Sequence, residues 1–162
     1  MADAALPAGY TSQGYVRYCA TLLDYPGRPY PTMYHFLLRH GRDFSWRPLP
    51  AGLRRGLPRQ CFLNAMLLAF RSPNYIYVEG FAMCGGLPAM SMEHAWCVDR
   101  KGFVADPTWQ EGTDYFGVPF RTKYLKKVAL ERKSSGVLYN PEMRFPLFTG
   151  EHSIEDAIAE VR

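Results

Sequence analysis

At 162 residues, with 48% hydrophobic and 21% charged side chains, the chain has the composition of one globular domain able to bury its own core. It holds no run of 18 apolar residues, and its start, Met1 to Pro7, carries Asp3 but no Lys or Arg. Neither a membrane span nor a secretory signal is expected, and the chain reads as cytoplasmic. A formal charge of +4 and a pI near 8.9 are moderate; the basic clusters at Arg54, Arg55, Arg59 and from Arg121 to Lys133 fit a solvated face better than an anionic partner, and nucleic acid, though open as a partner, is not indicated.

In chain order, apolar residues recur with helical spacing from Thr11 to Leu23 and from Thr32 to His40, where Gly41 marks the stop. Between them Pro26, Pro29 and Pro31 remove donors and impose a loop. After a second loop carrying Pro48, Pro50 and Pro58, the segment Cys61 to Phe70 is apolar on nearly all sides and is expected to be a central, buried helix. Short strand-forming runs follow over Tyr75 to Ala82, Glu93 to Asp99 and Gly102 to Asp106, the last two joined by a tight hairpin on Arg100-Lys101. The segment Thr122 to Arg132 is open between strand and helix, and Ser153 caps a short terminal helix with Glu155 and Asp156 in its first turn. The sum is one α+β domain over 1–162, with a helical part over about 10–57 and a core over about 58–120 that packs the buried helix on a small antiparallel sheet.

The four cysteines, Cys19, Cys61, Cys84 and Cys97, form no C-x-x-C pair, which suggests neither a zinc site nor a disulfide framework and implies no metal or cofactor. Cys61 stands at the start of its helix, where unpaired N–H groups lower a thiol pKa, and Arg54, Arg55 and Arg59 are expected to add positive potential. His94 shares a strand face with Trp96 and Val98, whereas Cys97 points the other way, so Cys61 is the thiol that His94 can reach. With a two-residue turn, Asp99 pairs with Gly102, and Asp106 faces Ala95 and borders His94 diagonally. Each residue has an ordinary alternative: a buried hydrophobe for Cys61, a core histidine for His94, a turn before Pro107 for Asp106. Taken together they make a nucleophile, a base and a carboxylate that orients the base.

Three motifs carry a resemblance. Gln60-Cys61-Phe62-Leu63-Asn64-Ala65, Glu93-His94-Ala95-Trp96 and Gly102-Phe103-Val104-Ala105-Asp106-Pro107-Thr108 resemble, in order and context, the nucleophile, histidine and aspartate segments of the transglutaminase-like family of papain-like cysteine enzymes. The resemblance covers about a third of the chain, Pro58 to Trp109. It implies a papain-like fold, a Cys61-His94-Asp106 triad, and acylation of the thiol by an amide-containing substrate, protein, peptide or small molecule, followed by hydrolysis or transfer to an amine. The spacings, 33 residues from Cys61 to His94 and 12 to Asp106, leave no room for the gating insertions of the large animal enzymes. Two alternatives stand beside it: a catalytically silent binding domain of the same fold, and an acyltransferase taking a thioester donor.

The backbone N–H of Cys61 is a candidate oxyanion donor, and the side chain of Gln60 is a candidate for the second. Tyr75, Tyr77, Glu79 and Phe81 share one strand face expected to line the cleft, with Glu79 leaning toward solvent. Trp96 and Trp109 flank triad members and are candidates for the walls of an acyl site. Met83 to Pro88 has the glycines of a mobile flap.

Overall fold

A computed structural model describes residues 10–23, 25–85, 90–133 and 135–161. Half of the expected flap, residues 86–88, lies outside the described residues.

Two N-terminal helices form where their caps allow. Thr11 Oγ1 accepts the Gly14 N–H at 3.0 Å and starts α1 (Ser12–Leu22), and Gly41 closes α2 (Met33–His40) by donating to the Leu37 carbonyl. Eight residues cannot hold a helix in water. What holds α2 is burial of Phe36 and Leu37, both fully inaccessible and worth roughly 1.5–3 kcal/mol each.

The sheet has five antiparallel strands in the order β1 (Arg42–Phe44), β5 (Gly112–Phe120), β2 (Ile76–Cys84), β3 (Ser91–Val98), β4 (Val104–Ala105). It curls until its two edges meet: Ser45, past the end of β1, bridges Phe103, at the start of β4, and the Val104 N–H donates to the Ser45 carbonyl at 2.9 Å. Glycine makes this curl feasible at the crossing of β2 and β5. Gly80 faces Gly117, and a Cβ on Gly117 would stand 2.6 Å from the Glu79 carbonyl oxygen and 2.7 Å from Trp96.

Both faces of the curled sheet are buried. Inside lie Phe44, Val78, Ala82, Trp96, Val98, Val104 and Tyr115; outside, Tyr77, Phe81, Ala95, Cys97, Phe116 and Phe120 meet the helices. The helix α3 (Cys61–Arg71) packs chiefly on β3 and β2. It buries Asn64, Ala65, Met66 and Ala69, but Leu63 is exposed, so the expectation of a helix covered all round is corrected to one with a buried face.

Thr122 to Arg132 is helix α4 (Thr122–Arg132), resting Tyr124, Leu125 and Val128 on the outer core. Ser153 caps α5 (Ile154–Ala157) as expected, its Oγ accepting the Asp156 N–H at 3.2 Å. β5 is a strand that the sequence pattern did not announce, since it contains Gly117 and Pro119. Pro119 is tolerated because its carbonyl, and with it its nitrogen, points away from β2 toward the C-terminal segment, where the Ala159 N–H meets the carbonyl at 3.0 Å. No helix among the described residues is long and apolar enough to cross a membrane.

Candidate active site

Cys61 opens α3 and is half-buried. The loop before it is laced to the turn that carries Asp106: the Gly56 N–H donates to the Pro107 carbonyl at 2.8 Å and Arg55 Nη1 to the Trp109 carbonyl at 2.7 Å. Asn64, one turn into α3, donates from Nδ2 to the Leu57 carbonyl at 2.8 Å and to Thr108 Oγ1 at 3.0 Å. A Cβ on Gly56 would lie 2.0 Å from Asn64 Oδ1, so glycine is required there by proximity. These contacts hold the thiol and the carboxylate turn at a fixed separation.

His94 and Asp106 meet directly. The Nε2–H of His94 donates to Asp106 Oδ2 at 2.8 Å, and the two side chains are 1% and 3% exposed. The expected hairpin register is corrected by one residue: Gly102, at φ +80°, makes the turn three residues long, so Cys97 faces Ala105 and Val98 faces Val104. Extending that register sets Asp106 opposite Trp96, hence on the face of His94; the two-residue turn would have put it on the opposite face. Asp106 also makes the turn that was its alternative reading, with Oδ1 accepting the N–H groups of Thr108 at 2.8 Å and Trp109 at 3.0 Å. One oxygen shapes the turn while the other serves the histidine.

Two further residues hold this pair, and sequence reasoning missed the first. Tyr115, on β5, donates its hydroxyl to Asp106 Oδ2 at 2.8 Å. Trp109 stacks on His94 with ring centroids 3.7 Å apart and planes at 12°, so it is a cover on the imidazole. Trp96 is corrected: it is fully buried inside the curled sheet and walls no open acyl site.

With Nε2 committed to Asp106, only Nδ1 of His94 is left to face a thiol; it is buried and has no partner at strict hydrogen-bond geometry among the described residues. Cys61 and His94 nonetheless act on one another. Burial raises the thiol pKa, but the polar contact and charge of the adjacent His94 ring, with the N–H groups of Ala95 and Phe62, outweigh it and bring Cys61 below its ordinary value. Burial lowers the imidazole pKa, and Asp106 and Cys61 more than reverse this. Asp106 follows the same logic: burial raises it, yet the His94 bond and charge and the turn N–H groups leave it lowered. The arrangement therefore favours a thiolate beside an imidazolium. The groups that lower the thiol most are the imidazole of His94 and the N–H groups of Ala95 and Phe62, ahead of the expected help from Arg54, Arg55 and Arg59.

The other thiols lack this setting. Burial raises Cys97, whose S–H donates to the Ala65 carbonyl at 3.2 Å on the far side of β3 from His94. Burial, Glu111 and Asp106 raise Cys84.

Gln60 precedes α3 with an exposed side chain that makes no capping bond. Glu79 and Tyr77 are corrected from cleft-lining to core. Glu79 is 3% exposed, and its carboxylate accepts the Val137 N–H (2.6 Å to Oε2) and the Leu138 N–H (2.9 Å). Tyr77 is fully buried, with its hydroxyl unpartnered among the described residues. Among the described residues no cluster of three or more His, Cys, Asp or Glu could hold a metal ion. No protein-family model, curated protein or solved structure matches this chain.

Proposed function

We propose that this protein is a cysteine-nucleophile enzyme of transglutaminase-like, papain-like type, acting on an amide through an acyl-thiol intermediate. The observation that carries it is the buried 2.8 Å His94–Asp106 pair, which leaves Nδ1 of His94 for a thiol at the N-terminus of α3. In this scheme the Cys61 thiolate attacks the carbonyl carbon, and the N–H groups of Ala95 and Phe62, which support the thiolate, lie near the charge that develops on the carbonyl oxygen. The C–N bond breaks, and the imidazolium of His94 gives its proton to the leaving amine. Water, or a second amine, then resolves the thioester with His94 as base. Asp106 touches neither substrate nor sulfur; it holds the ring and its charge.

Intact-mass measurement after incubation with a library of amides and esters tests this. The expected result is an acyl adduct mapping to Cys61 and absent from Cys61→Ser. If no acyl donor modifies Cys61, and Cys61→Ser and His94→Ala retain a full physiological effect, the domain works by binding.

A further inference from the structure

Alternation along β3 puts Glu93, Ala95 and Cys97 on the face turned toward the helices. Cys97 lies under α3, Ala95 offers its N–H to Cys61, and Glu93 stands two residues further on, about 7 Å along the strand. Directly across the ladder from Glu93 is Phe81, and Tyr34 of α2 packs on Phe81 with ring centroids 5.7 Å apart. The Glu93 carboxylate acts electrostatically on the Tyr34 hydroxyl. Tyr34 is in turn a wall of an open cavity of about 440 Å³, shared with Tyr25, Met33, Tyr139, Phe145 and Phe148 and with one charged side chain, Arg28. A mostly apolar groove thus begins one side chain beyond Glu93, and Glu93 lies two residues along β3 from Ala95, whose N–H faces the thiol.

Two features of this path are unused by the triad. The Glu93 carboxylate has no hydrogen-bond or ion-pair partner among the described residues, although it is solvent-reachable and its neighbour Glu79 is also acidic. Tyr25 and Tyr139 leave 55% and 59% of their surface open at the rim of the groove. An unpaired carboxylate followed by aromatic walls suits a cation attached to a large apolar group.

We propose that Glu93 and this groove recognise the N-terminus of a peptide. The terminal ammonium pairs with Glu93, the first side chain, aromatic, enters the groove, and the carbonyl of the second residue reaches Cys61. Two extended residues span roughly 7 Å, which matches the two-residue step along β3 from Glu93 to Ala95, the residue whose N–H faces the thiol. Built on the cysteine-nucleophile reading, this makes the acyl group on sulfur a dipeptide: the Sγ–C bond forms, the bond to the third residue's nitrogen breaks, and that nitrogen leaves as a free amine carrying the His94 proton.

The test uses three chloromethyl ketones, Phe-Gly, N-acetyl-Phe-Gly and Gly-Gly, with iodoacetamide as reference; the rate of Cys61 alkylation is expressed as a ratio to the iodoacetamide rate in the same protein. Phe-Gly is expected to give the highest ratio, with losses of about tenfold on acetylating the amine and on removing the phenyl group. Glu93→Gln should erase the discrimination against the acetylated reagent and keep the preference for Phe; Tyr25→Ala and Tyr139→Ala should do the reverse. Equal ratios for the three reagents, or discrimination that none of the variants alters, would overturn the recognition site. If iodoacetamide does not label Cys61 selectively, the nucleophile reading fails instead. Calorimetric titration of Cys61→Ser with Phe-Gly amide then decides the recognition site: binding lost in the added Glu93→Gln and Tyr139→Ala changes supports it, and no binding removes it.

Discussion

The Nε2 of His94 and Oδ2 of Asp106 lie 2.8 Å apart with both side chains almost wholly removed from water. A carboxylate so placed cannot be replaced by solvent. Asp106→Asn keeps the volume and can keep one oxygen for the turn N–H groups, but it cannot balance an imidazolium. Turnover on any substrate identified is expected to fall by about 10³–10⁴-fold. The thiolate absorbance near 240 nm, followed against pH, should titrate at higher pH than in the native protein, because His94 would no longer hold its charge beside Cys61. An unchanged titration would return Asp106 to the turn alone.

The same pair sets the pH dependence of Cys61. Its thiol lies below, and the imidazole above, the ordinary value, each drawn by the charge of the other, so the pair is biased toward thiolate and imidazolium. Alkylation of Cys61 should therefore develop at pH below that of an ordinary thiol near 8.5, while Cys84, raised by burial and two carboxylates, reacts only at higher pH. Turnover should decline again once pH passes the raised imidazole value, where the proton owed to the leaving group is lost. Peptide mapping across pH reads both thiols in one sample; coincident profiles would count against the ion pair.

Tyr115 supplies a separate handle on Asp106. Its hydroxyl and His94 share Oδ2, while its ring packs 5.0 Å from Trp96 inside the sheet. Tyr115→Phe keeps the ring and removes one donor to a charged acceptor, a loss of roughly 1.5–3 kcal/mol in stability. The carboxylate, with one partner fewer, then draws more strongly on His94 and extends the imidazolium to higher pH. Calorimetric unfolding together with the basic limb of the pH–rate profile checks both effects, and an unmoved Tm would mean the hydroxyl bond is not formed in solution.

The parts of this structure that were legible in the sequence are those set by local chemistry. Gly41 and Ser153 stop or start helices by capping, and strand alternation alone turned Cys97 away from His94. The triad residues were legible as types in order, but the register joining two of them was not, because it depends on Gly102 adopting a left-handed φ and lengthening the turn. β5 escaped since Gly117 and Pro119 are tolerated only by partners remote in sequence, Glu79 and Trp96 on one side and Ala159 on the other. Tyr77 and Glu79 were misplaced for a similar reason: the cover over that face is the segment beginning at Val137, 58 positions after Glu79.

Glu79 gives the final prediction, a stability that depends on pH apart from catalysis. Burial lifts its pKa to about 7, against the lowering pull of the Leu138 and Val137 N–H groups and of Arg132, with Glu93 adding to the rise. In the unfolded chain the same carboxyl titrates near 4.3. A group raised on folding contributes stability that is complete below its unfolded pKa and is lost as pH climbs through its folded pKa, because between the two values the native state holds the extra proton. The difference corresponds to something on the order of 3 kcal/mol, released between about pH 4.5 and 7. Asp106, lowered on folding, works in the opposite sense and loses its contribution only at more acid pH. Glu79→Gln keeps an oxygen for the two backbone donors and removes the titration. Urea unfolding of the native protein and of Glu79→Gln at pH 5, 6, 7 and 8 should therefore show native stability falling relative to the variant as pH rises through this window; a constant difference would mean that Glu79 carries the same charge folded and unfolded throughout.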